Sequence, residues 1–543
     1  MRIDLPFRRL LNVFIMLFVG ISGVLVYLQA TPEAQVLTTS DYNPRHCVQD
    51  AVPQRGTIYD RNGNKLAFSV PDLTQPCGWR RHYTDPTLAP LIGYFDPQGF
   101  GTTGLEAAYD DVLSGADTTS AVLPGFDNGV NHILDQAEHT KTYGTDIYLT
   151  IDSRIQQKAN LVYPNQVNCP GQNPAQTGSI LVEAPQTGEL LAYISHPGFD
   201  NDKLVDHTLV NDGTGLTVGQ EYWNALLQDP NRPLINRPVM DTIVPGSSFK
   251  TLTLIAALDS QQYNTASTFT EAESKDYVVN GFNINTNNLI HYPGIPSSKI
   301  FPMDLVHQYA FSNNVAFARL AVGVGKDRWL YYAQALGISY GSHVVNIPFD
   351  VPVAHSWVFQ PSAQADWDRD NVALANAGYG QAFLQISPLE MTVITSTIAA
   401  DGKYQKPHVL LKRVAHGVQA DSVAAVAPQT LSQPFTPATA QGLRAAMRAV
   451  VVYGSVGASG PFVAPPANSP VMEGGKTGTG ETGNGAPQTW FISLAPADIS
   501  NASNLPRLAI VIQKEQDGEG ACQAPIAQSI YEYALPLVGY PLG

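Results

Sequence analysis

The chain has 543 residues, of which 44% are hydrophobic and 14% are charged. This length predicts two or more domains, and the composition excludes an intrinsically disordered protein. The 31 basic and 46 acidic residues give a formal net charge of -15 without a long basic tract, which argues against nucleic acid as a partner.

An uncharged apolar run lies near the N-terminus, from Leu10 to Leu28. It is about as long as a helix needs to be to cross a bilayer. Because Arg8 and Arg9 precede it, the orientation rule predicts a cytoplasmic N-terminus and an extracytoplasmic remainder, in a single-pass protein of the cell membrane. A cleaved signal peptide ending near Ala30 is the alternative.

Four cysteines fall in the part predicted to lie outside the membrane, namely Cys47, Cys77, Cys169 and Cys522. An even number in an oxidising compartment predicts two disulfides, and the spacing does not resemble a zinc site. Of the three possible pairings, we predict Cys47 with Cys77 and Cys169 with Cys522.

The region over residues 30–144 contains no plausible catalytic set. In RGTIYDRNGNKLAFS, residues 55–69, Asn62-Gly63 separates two strand-like runs and predicts a hairpin. The segment GTTGLEAAYDDVLSG, residues 101–115, predicts a turn followed by a short helix. We therefore expect a mainly β, non-catalytic pedestal, which follows a cytoplasmic tail over 1–9 and an anchor over 10–29.

The rest of the chain, residues 145–543, has the pattern of one large α+β domain. The signals in chain order are a helix from Ser153 capped by Asp152, a hairpin across 178–195, strands starting at Thr489 and Arg507, and a helix over 525–535. Strands at both ends with helices between them predict an antiparallel sheet with packed helices. The alanine-rich tract over 415–467 gives no clear pattern.

A serine and a lysine lie one helical turn apart in Pro245-Gly246-Ser247-Ser248-Phe249-Lys250, at the start of a predicted buried helix. A desolvated Lys250 amine, driven towards its neutral form, can accept the proton of the Ser247 hydroxyl and make it nucleophilic. Taken alone, the pattern is equally typical of a capping serine followed by an exposed lysine.

Two later segments favour the catalytic interpretation of Ser247 and Lys250. Ser312-Asn313-Asn314 lies in a polar break before a predicted helix over 315–324, and Lys476-Thr477-Gly478-Thr479-Gly480 precedes the predicted strand at Trp490. The order SxxK, SxN, KTG is the signature of serine β-lactamases and penicillin-binding proteins. The three motifs in this order make a chance match improbable.

With these motifs, the chain resembles the class B penicillin-binding proteins, which are membrane-anchored peptidoglycan D,D-transpeptidases. The resemblance covers nearly the whole length and rests on the anchor and on RGTIYDRNG, TTGLEAAYD, PGSSFK, SNN, GYGQAFLQISPLEM at 378–391, KTGTGE and TWFISLAP. It implies a β-lactamase/transpeptidase-like antiparallel sheet with packed helices, behind a pedestal of the dimerisation type. Residues 30–144 are too few to hold a glycosyltransferase domain as well, which disfavours a bifunctional class A protein.

The resemblance implies a role for each motif residue in D-Ala-D-Ala transpeptidation. These roles are nucleophile for Ser247, base for Lys250, proton relay for Ser312, donor-amide binding for Asn314, positive potential for Lys476, and oxyanion and carboxylate binding for the strand with Thr477, Gly478 and Thr479. The oxyanion would be held by the backbone N–H groups of Ser247 and Thr479.

The resemblance implies no metal or organic cofactor. It implies as partners the peptidoglycan stem peptides, β-lactams and a SEDS-type glycan polymerase in the membrane. Glu390, the only glutamate between Ser312 and Glu473, stands in SPLEM rather than in the context of a β-lactamase base, so fast deacylation is not expected. The alternatives are a penicillin sensor, a structural member of the cell-wall complex that does not turn over, and a D,D-carboxypeptidase or β-lactamase.

Overall fold

The computed structural model describes residues 12–22, 24, 55–72, 79–97, 99–115, 143–164, 177–211, 213–285, 300–456, 469–483, 487–498, 500–501, 503–515 and 519–542. Residues 12–22 are helical, and their apolar side chains are exposed, including Val13 at 53% and Phe18 at 72%. Within these ranges, no helix combines the length and the apolar character that crossing a membrane requires. The predicted anchor over 10–29 lies partly outside them and stays a prediction.

The strands in chain order are β1 Ile58–Tyr59, β2 Lys65–Pro71, β3 Trp79–Tyr83, β4 Phe95–Asp96, β5 Gly101–Thr102, β6 Asp146–Leu149, β7 Thr177–Ala184, β8 Glu189–His196, β9 Thr268–Phe269, β10 Asp276–Val279, β11 Phe282–Asn285, β12 Met303–Asp304, β13 Ser339–Tyr340, β14 Trp357–Phe359, β15 Tyr404–Gln405, β16 Leu410–Val414, β17 Thr430–Ser432, β18 Gly474–Gly480, β19 Gln488–Ala495 and β20 Leu508–Glu515.

The α-helices, numbered from the pedestal onward, are α1 Ala89–Ile92, α2 Gly104–Ala108, α3 Asp110–Ser114, α4 Ser153–Val162, α5 Asn201–Leu204, α6 Val218–Gln228, α7 Arg237–Met240, α8 Lys250–Asp259, α9 Glu271–Lys275, α10 Leu305–Ala310, α11 Asn314–Val324, α12 Lys326–Ala335, α13 Gln364–Arg369, α14 Val372–Ala377, α15 Pro388–Ala399, α16 Pro437–Val452 and α17 Ala524–Leu537.

A five-stranded antiparallel sheet in the order β18-β19-β20-β7-β8 organises the larger part of the chain. Helices α4 and α17 contact each other and the sheet, as do α15 and α16. Every residue of β20 is buried, as expected for a strand covered on both faces. The predicted α+β fold with an antiparallel sheet and packed helices is confirmed, as are the hairpin over 178–195 and the closing helix.

A second five-stranded sheet has the order β16-β6-β1-β2-β3. Strands β1 and β2 form the hairpin predicted at Asn62-Gly63, β6 adds in parallel to β1, and β16 pairs antiparallel with β6. Its core joins Ile58 and Ile147 to Leu181, Tyr193 and Leu410. The pedestal sheet is therefore completed by strands that follow residue 145.

A buried ion cluster explains why the pedestal carries the segments RGTIYDRNG and TTGLEAAYD. The carboxylate of Glu106 receives Arg55 Nε at 2.6 Å and Arg81 Nε at 2.7 Å, and Arg55 also contacts Asp110 at 2.7 Å. Burial raises the pKa of Glu106, but the two guanidinium groups outweigh it and hold that pKa below the ordinary value. The cluster fixes α2 to the first strands.

Two sequence features are only partly described. The alanine-rich tract over 415–467 contains β17 and α16, and residues 457–467 lie outside the described part. Cys522 is not a free thiol, whereas Cys47, Cys77 and Cys169 lie outside the described residues, so the disulfide pairing stays a prediction.

Candidate active site

The nucleophile motif forms a tight turn that leads into a buried helix. Residues Gly246–Phe249 make a 3₁₀ turn, and α8 begins at Lys250. Ser247 therefore lies just before the helix rather than in its first α-helical turn, and it is half-buried. The neighbouring Ser248 is buried and donates to the carbonyl of Pro245 at 2.7 Å. Of the two adjacent serines, Ser247 is the more accessible.

The SxN motif sits at the junction of two helices. Ser312 follows the end of α10 in a left-handed conformation with φ of 59°, and its N–H donates to the Tyr309 carbonyl at 3.0 Å. Asn313 caps the next helix, accepting from the N–H of Ala316 at 3.1 Å. At this junction the Ser312 hydroxyl lies within hydrogen-bond distance of the amines of Lys250 and Lys476.

The KTG motif lies on β18, the terminal strand of the catalytic sheet. A Cβ atom at Gly478 would lie 2.5 Å from the Pro245 carbonyl oxygen, and one at Gly246 would overlap the carbonyl of Thr479. Strand and nucleophile turn therefore pack backbone against backbone. Gly246 also has a φ of 55°, which a glycine adopts without strain.

The segment 378–381, GYGQ, covers the other side of the same turn. Gly380 has a φ of 95°, and a Cβ atom there would overlap the Gly246 carbonyl group. Thr253 on α8 donates to the carbonyl of Gly378 at 2.8 Å. The nucleophile turn is thus held between the loop at Gly380 and the strand at Thr479.

Two lysine amines meet at the hydroxyl of Ser312. Lys250 Nζ lies 2.6 Å from Ser247 Oγ and 3.1 Å from Ser312 Oγ, and Lys476 Nζ lies 2.9 Å from Ser312 Oγ. Lys250 also donates to Asn314 Oδ1 at 2.6 Å and to the Ser312 carbonyl at 2.9 Å. The arrangement forms a continuous polar path from Ser247 to Lys476.

The electrostatics of this pair favour one neutral amine. Both lysines are 0% exposed, and neither has an acidic partner among the described residues. Burial, reinforced by the charge of Lys476, lowers the pKa of Lys250 well below its ordinary value. Burial lowers the pKa of Lys476 to about 7. Near neutral pH Lys250 can therefore accept a proton from Ser247.

The remaining predicted residues lie on β18, beside the nucleophile turn and Lys476. Thr477 is buried and its hydroxyl lies 3.2 Å from that of Ser455, while the side chain of Thr479 is exposed beside the turn. All eight predicted site residues thus lie on three adjoining segments. Ser455, Gly380 and Tyr309, which also contact the set, were not predicted; the only sequence signal for Gly380 was its place in the GYGQ segment.

Glu390 lies elsewhere in the fold. It is 0% exposed in the first turn of α15, where a Cβ atom at Gly337 would lie 3.3 Å from its carboxylate oxygens. Burial raises the pKa of Glu390 well above its ordinary value. In the part of the chain that the structure describes, no cluster of histidine, cysteine or acidic side chains could hold a metal ion.

Comparison with known proteins fits this geometry. Residues 178–532 match the penicillin binding protein transpeptidase domain, which is well over half of the chain. The chain belongs to the penicillin-binding protein transpeptidase family. Residues 55–128 match the penicillin binding protein A dimerisation domain. The predicted class B relationship is confirmed.

Individual relatives match over nearly their whole lengths. The chain is 28% identical over 517 residues to the peptidoglycan D,D-transpeptidase PbpA of Mycolicibacterium smegmatis, covering 92% of this chain and 93% of that one. Among solved structures, penicillin-binding protein A from M. tuberculosis as an imipenem acyl-enzyme complex has a TM-score of 0.71 at 25% identity, covering 90% and 100%. Its penicillin G acyl-enzyme complex has a TM-score of 0.70 at 25% identity, covering 89% and 99%.

Proposed function

We propose that this penicillin-binding protein is a serine D,D-transpeptidase that crosslinks peptidoglycan stem peptides through an acyl-enzyme on Ser247, and that β-lactams acylate the same hydroxyl. The observation that carries the proposal is the 2.6 Å contact between Ser247 Oγ and the buried Lys250 amine. The activity named for PbpA and the acyl-enzyme complexes of penicillin-binding protein A support it.

The first step is attack on the penultimate D-alanine carbonyl. Lys250 takes the hydroxyl proton as Ser247 Oγ bonds to the carbonyl carbon. The backbone N–H groups of Ser247 and Thr479 then receive the oxyanion, at about 3 kcal/mol of transition-state stabilisation for each donor. Backbone packing between the turn and β18 supports this role, because it fixes the two segments against each other.

The second step releases D-alanine and opens the site to the acceptor. The proton on Lys250 reaches the leaving amine through Ser312, whose hydroxyl contacts both lysines. Lys476 supplies positive potential, Thr477 and Thr479 hold the terminal carboxylate, and Asn314 holds the donor amide. Because β18 ends its sheet, an extended stem peptide can align along it. The amine of a second stem peptide then attacks the ester carbonyl of the acyl-enzyme. The ester bond to Ser247 breaks as the crosslinking amide forms, and the amine proton returns to Ser247 Oγ through Lys250.

The test uses two adjacent serines. With a fluorescent penicillin, wild type and Ser248→Ala should be labelled, because the Ser248 hydroxyl only closes the turn onto Pro245. Ser247→Ala should not be labelled, and it should lose crosslinking of lipid-linked glycan. Labelling of Ser247→Ala would contradict the proposal. A wild type that is labelled but releases only D-alanine, without crosslinks, would identify a carboxypeptidase, and one without turnover a sensor or a structural protein.

We also propose that a single helix over 10–29 anchors the protein in the cell membrane, with a pedestal over 30–144 and a transpeptidase domain over 145–543 outside the cell. The uncharged run and the exposed apolar side chains of residues 12–22 support the anchor. A reporter enzyme that works only outside the cytoplasm should be active when it is fused after Gly543. An inactive reporter would contradict this orientation.

The proposed membrane partner is a SEDS-type glycan polymerase that contacts the anchor and the pedestal. The resemblance to class B proteins supports this partner. Co-purification from membranes should require the anchor, and association that persists without it would contradict this contact.

A further inference from the structure

Tyr309 is a buried aromatic residue that contacts all three catalytic segments without belonging to any motif. It lies on α10, three residues before Ser312, and is 0% exposed. Its hydroxyl lies 2.7 Å from Thr251 Oγ1, next to Lys250 on α8. Lys476 Nζ lies 5.6 Å from the centre of its ring. One side chain thus connects α8, α10 and β18.

The Tyr309 ring is one of two neighbouring aromatic rings that face the two lysine amines. The rings of Tyr309 and Phe317 are 5.9 Å apart, and Lys250 Nζ lies 6.0 Å from the centre of the Phe317 ring. A ring face attracts a cation and not a neutral amine, and the attraction is stronger when water is excluded. The shorter distance gives Lys476 the stronger attraction.

We propose that Tyr309 is a positioning residue that keeps the shared proton of the lysine pair on Lys476 and holds the SxN junction against Lys250. This inference rests on the proposed function, because the proton must be on Lys476 for Lys250 to act as the base. The ring acts on the charge, and the hydroxyl acts on the position of α8.

The other charges near Lys476 do not take this role. Lys250 faces it from α8 and repels a proton on Lys476. Arg448 on α16 donates to the carbonyl of Glu473 at the start of the strand. Glu473 itself is buried, and burial raises its pKa well above the ordinary value, which disfavours a negative charge on its carboxyl group. Glu481 follows the other end of the strand and is exposed.

The test changes the ring electronically at constant shape. Tyr309→Phe is the reference, and phenylalanines with increasing fluorine content are placed at position 309. We expect the alkaline limb of the penicillin acylation profile to move to lower pH with each fluorine, by about 0.5–1 unit in total, because Lys476 loses its proton earlier. The same analogues at Phe359, a buried ring stacked on Trp367, should leave the limb in place.

A second measurement tests the hydroxyl. Tyr309→Phe and Thr251→Val each remove the same hydrogen bond, so each should slow acylation by a similar factor and the double variant no further. An alkaline limb that does not move with added fluorine would overturn the role of the ring. Additive losses of acylation rate in the double variant would overturn the role of the hydrogen bond.

Neither result would contradict the proposed function as long as penicillin labels the wild type. A wild type that is never acylated would contradict the proposed function itself.

Discussion

At the scale of single residues, the amine pair sets the pH range in which Ser247 can react. Acylation should be fastest when Lys250 is neutral and Lys476 is protonated, so its rate should fall at low pH as Lys250 takes up a proton and at high pH as Lys476 loses one. The profile of acylation against pH is then bell-shaped, and its limbs report the pair rather than either lysine alone.

Replacing Lys476 by glutamine should move the acid limb. The charge of Lys476 contributes to the lowered pKa of Lys250, so Lys476→Gln should raise that pKa and shift the acid limb to higher pH. The acylation rate with a fluorescent penicillin, measured from about pH 5 to 9, checks this. Lys476→Arg keeps the charge and serves as the control. An acid limb unchanged in Lys476→Gln would show that the two amines do not interact.

The acyl-enzyme should be long-lived, and Glu390 should not affect its lifetime. The carboxyl group of Glu390 is buried in α15, and burial raises its pKa well above the ordinary value, which disfavours the carboxylate form that a base requires. Glu390→Gln should therefore leave the loss of bound penicillin unchanged in a pulse-chase measurement. A slower loss in this variant would instead make Glu390 a deacylating base.

The candidate catalytic residues could be located from the sequence because their motifs place reactive side chains at fixed spacing, and the structure brings these side chains together. Tyr309 could not, since an aromatic residue in an apolar helix looks like any other core residue. Its position beside Lys476 results from the packing of α10 and β18 against the same helix, α16, which no local pattern encodes.

At the scale of elements, the nucleophile turn is held between two backbone surfaces. Gly380→Ala would force the GYGQ loop away from Gly246 and also strain a φ of 95°. We expect acylation to slow about 100-fold, as for the loss of an oxyanion donor.

Gly417→Ala is the matched control for Gly380→Ala. Gly417 has a similar φ of 79°, but no atom lies within 4 Å of the added methyl group. It should lose a little thermal stability and keep its acylation rate. Equal acylation rates in the two variants would show that the close contact between Gly380 and Gly246 does not matter for acylation.

The hairpins, the capped helix at Ser153 and the late strands were predictable because each depends on local signals. The pairing of β6 with β16 was not, since it joins residues 146–149 to 410–414. The run LLKRV has no strict alternation, and its partner is decided by burial of Leu410 against the pedestal core.

At the scale of the whole molecule, the pedestal and the transpeptidase part share one sheet and one apolar core. Ile58→Ala opens a cavity at 0% exposure and should cost about 2–5 kcal/mol of the free energy of unfolding. Because the core is shared, Ile58→Ala should lower the temperature of the unfolding transition in calorimetry. Penicillin labelling should be lost at that same lowered temperature. Val344→Ala, at an exposed position, should change neither. Two separate transitions, with only one affected, would contradict a shared core.

The glycine contacts at the nucleophile turn also limit how the protein can acquire resistance to β-lactams. A larger side chain at Gly246, Gly380 or Gly478 would displace the turn or the strand and disable the enzyme, because each glycine lies against backbone atoms of the neighbouring segment. Substitutions at these three glycines are therefore closed as a route to resistance, because each would cost the protein its own reaction along with its sensitivity to the drug.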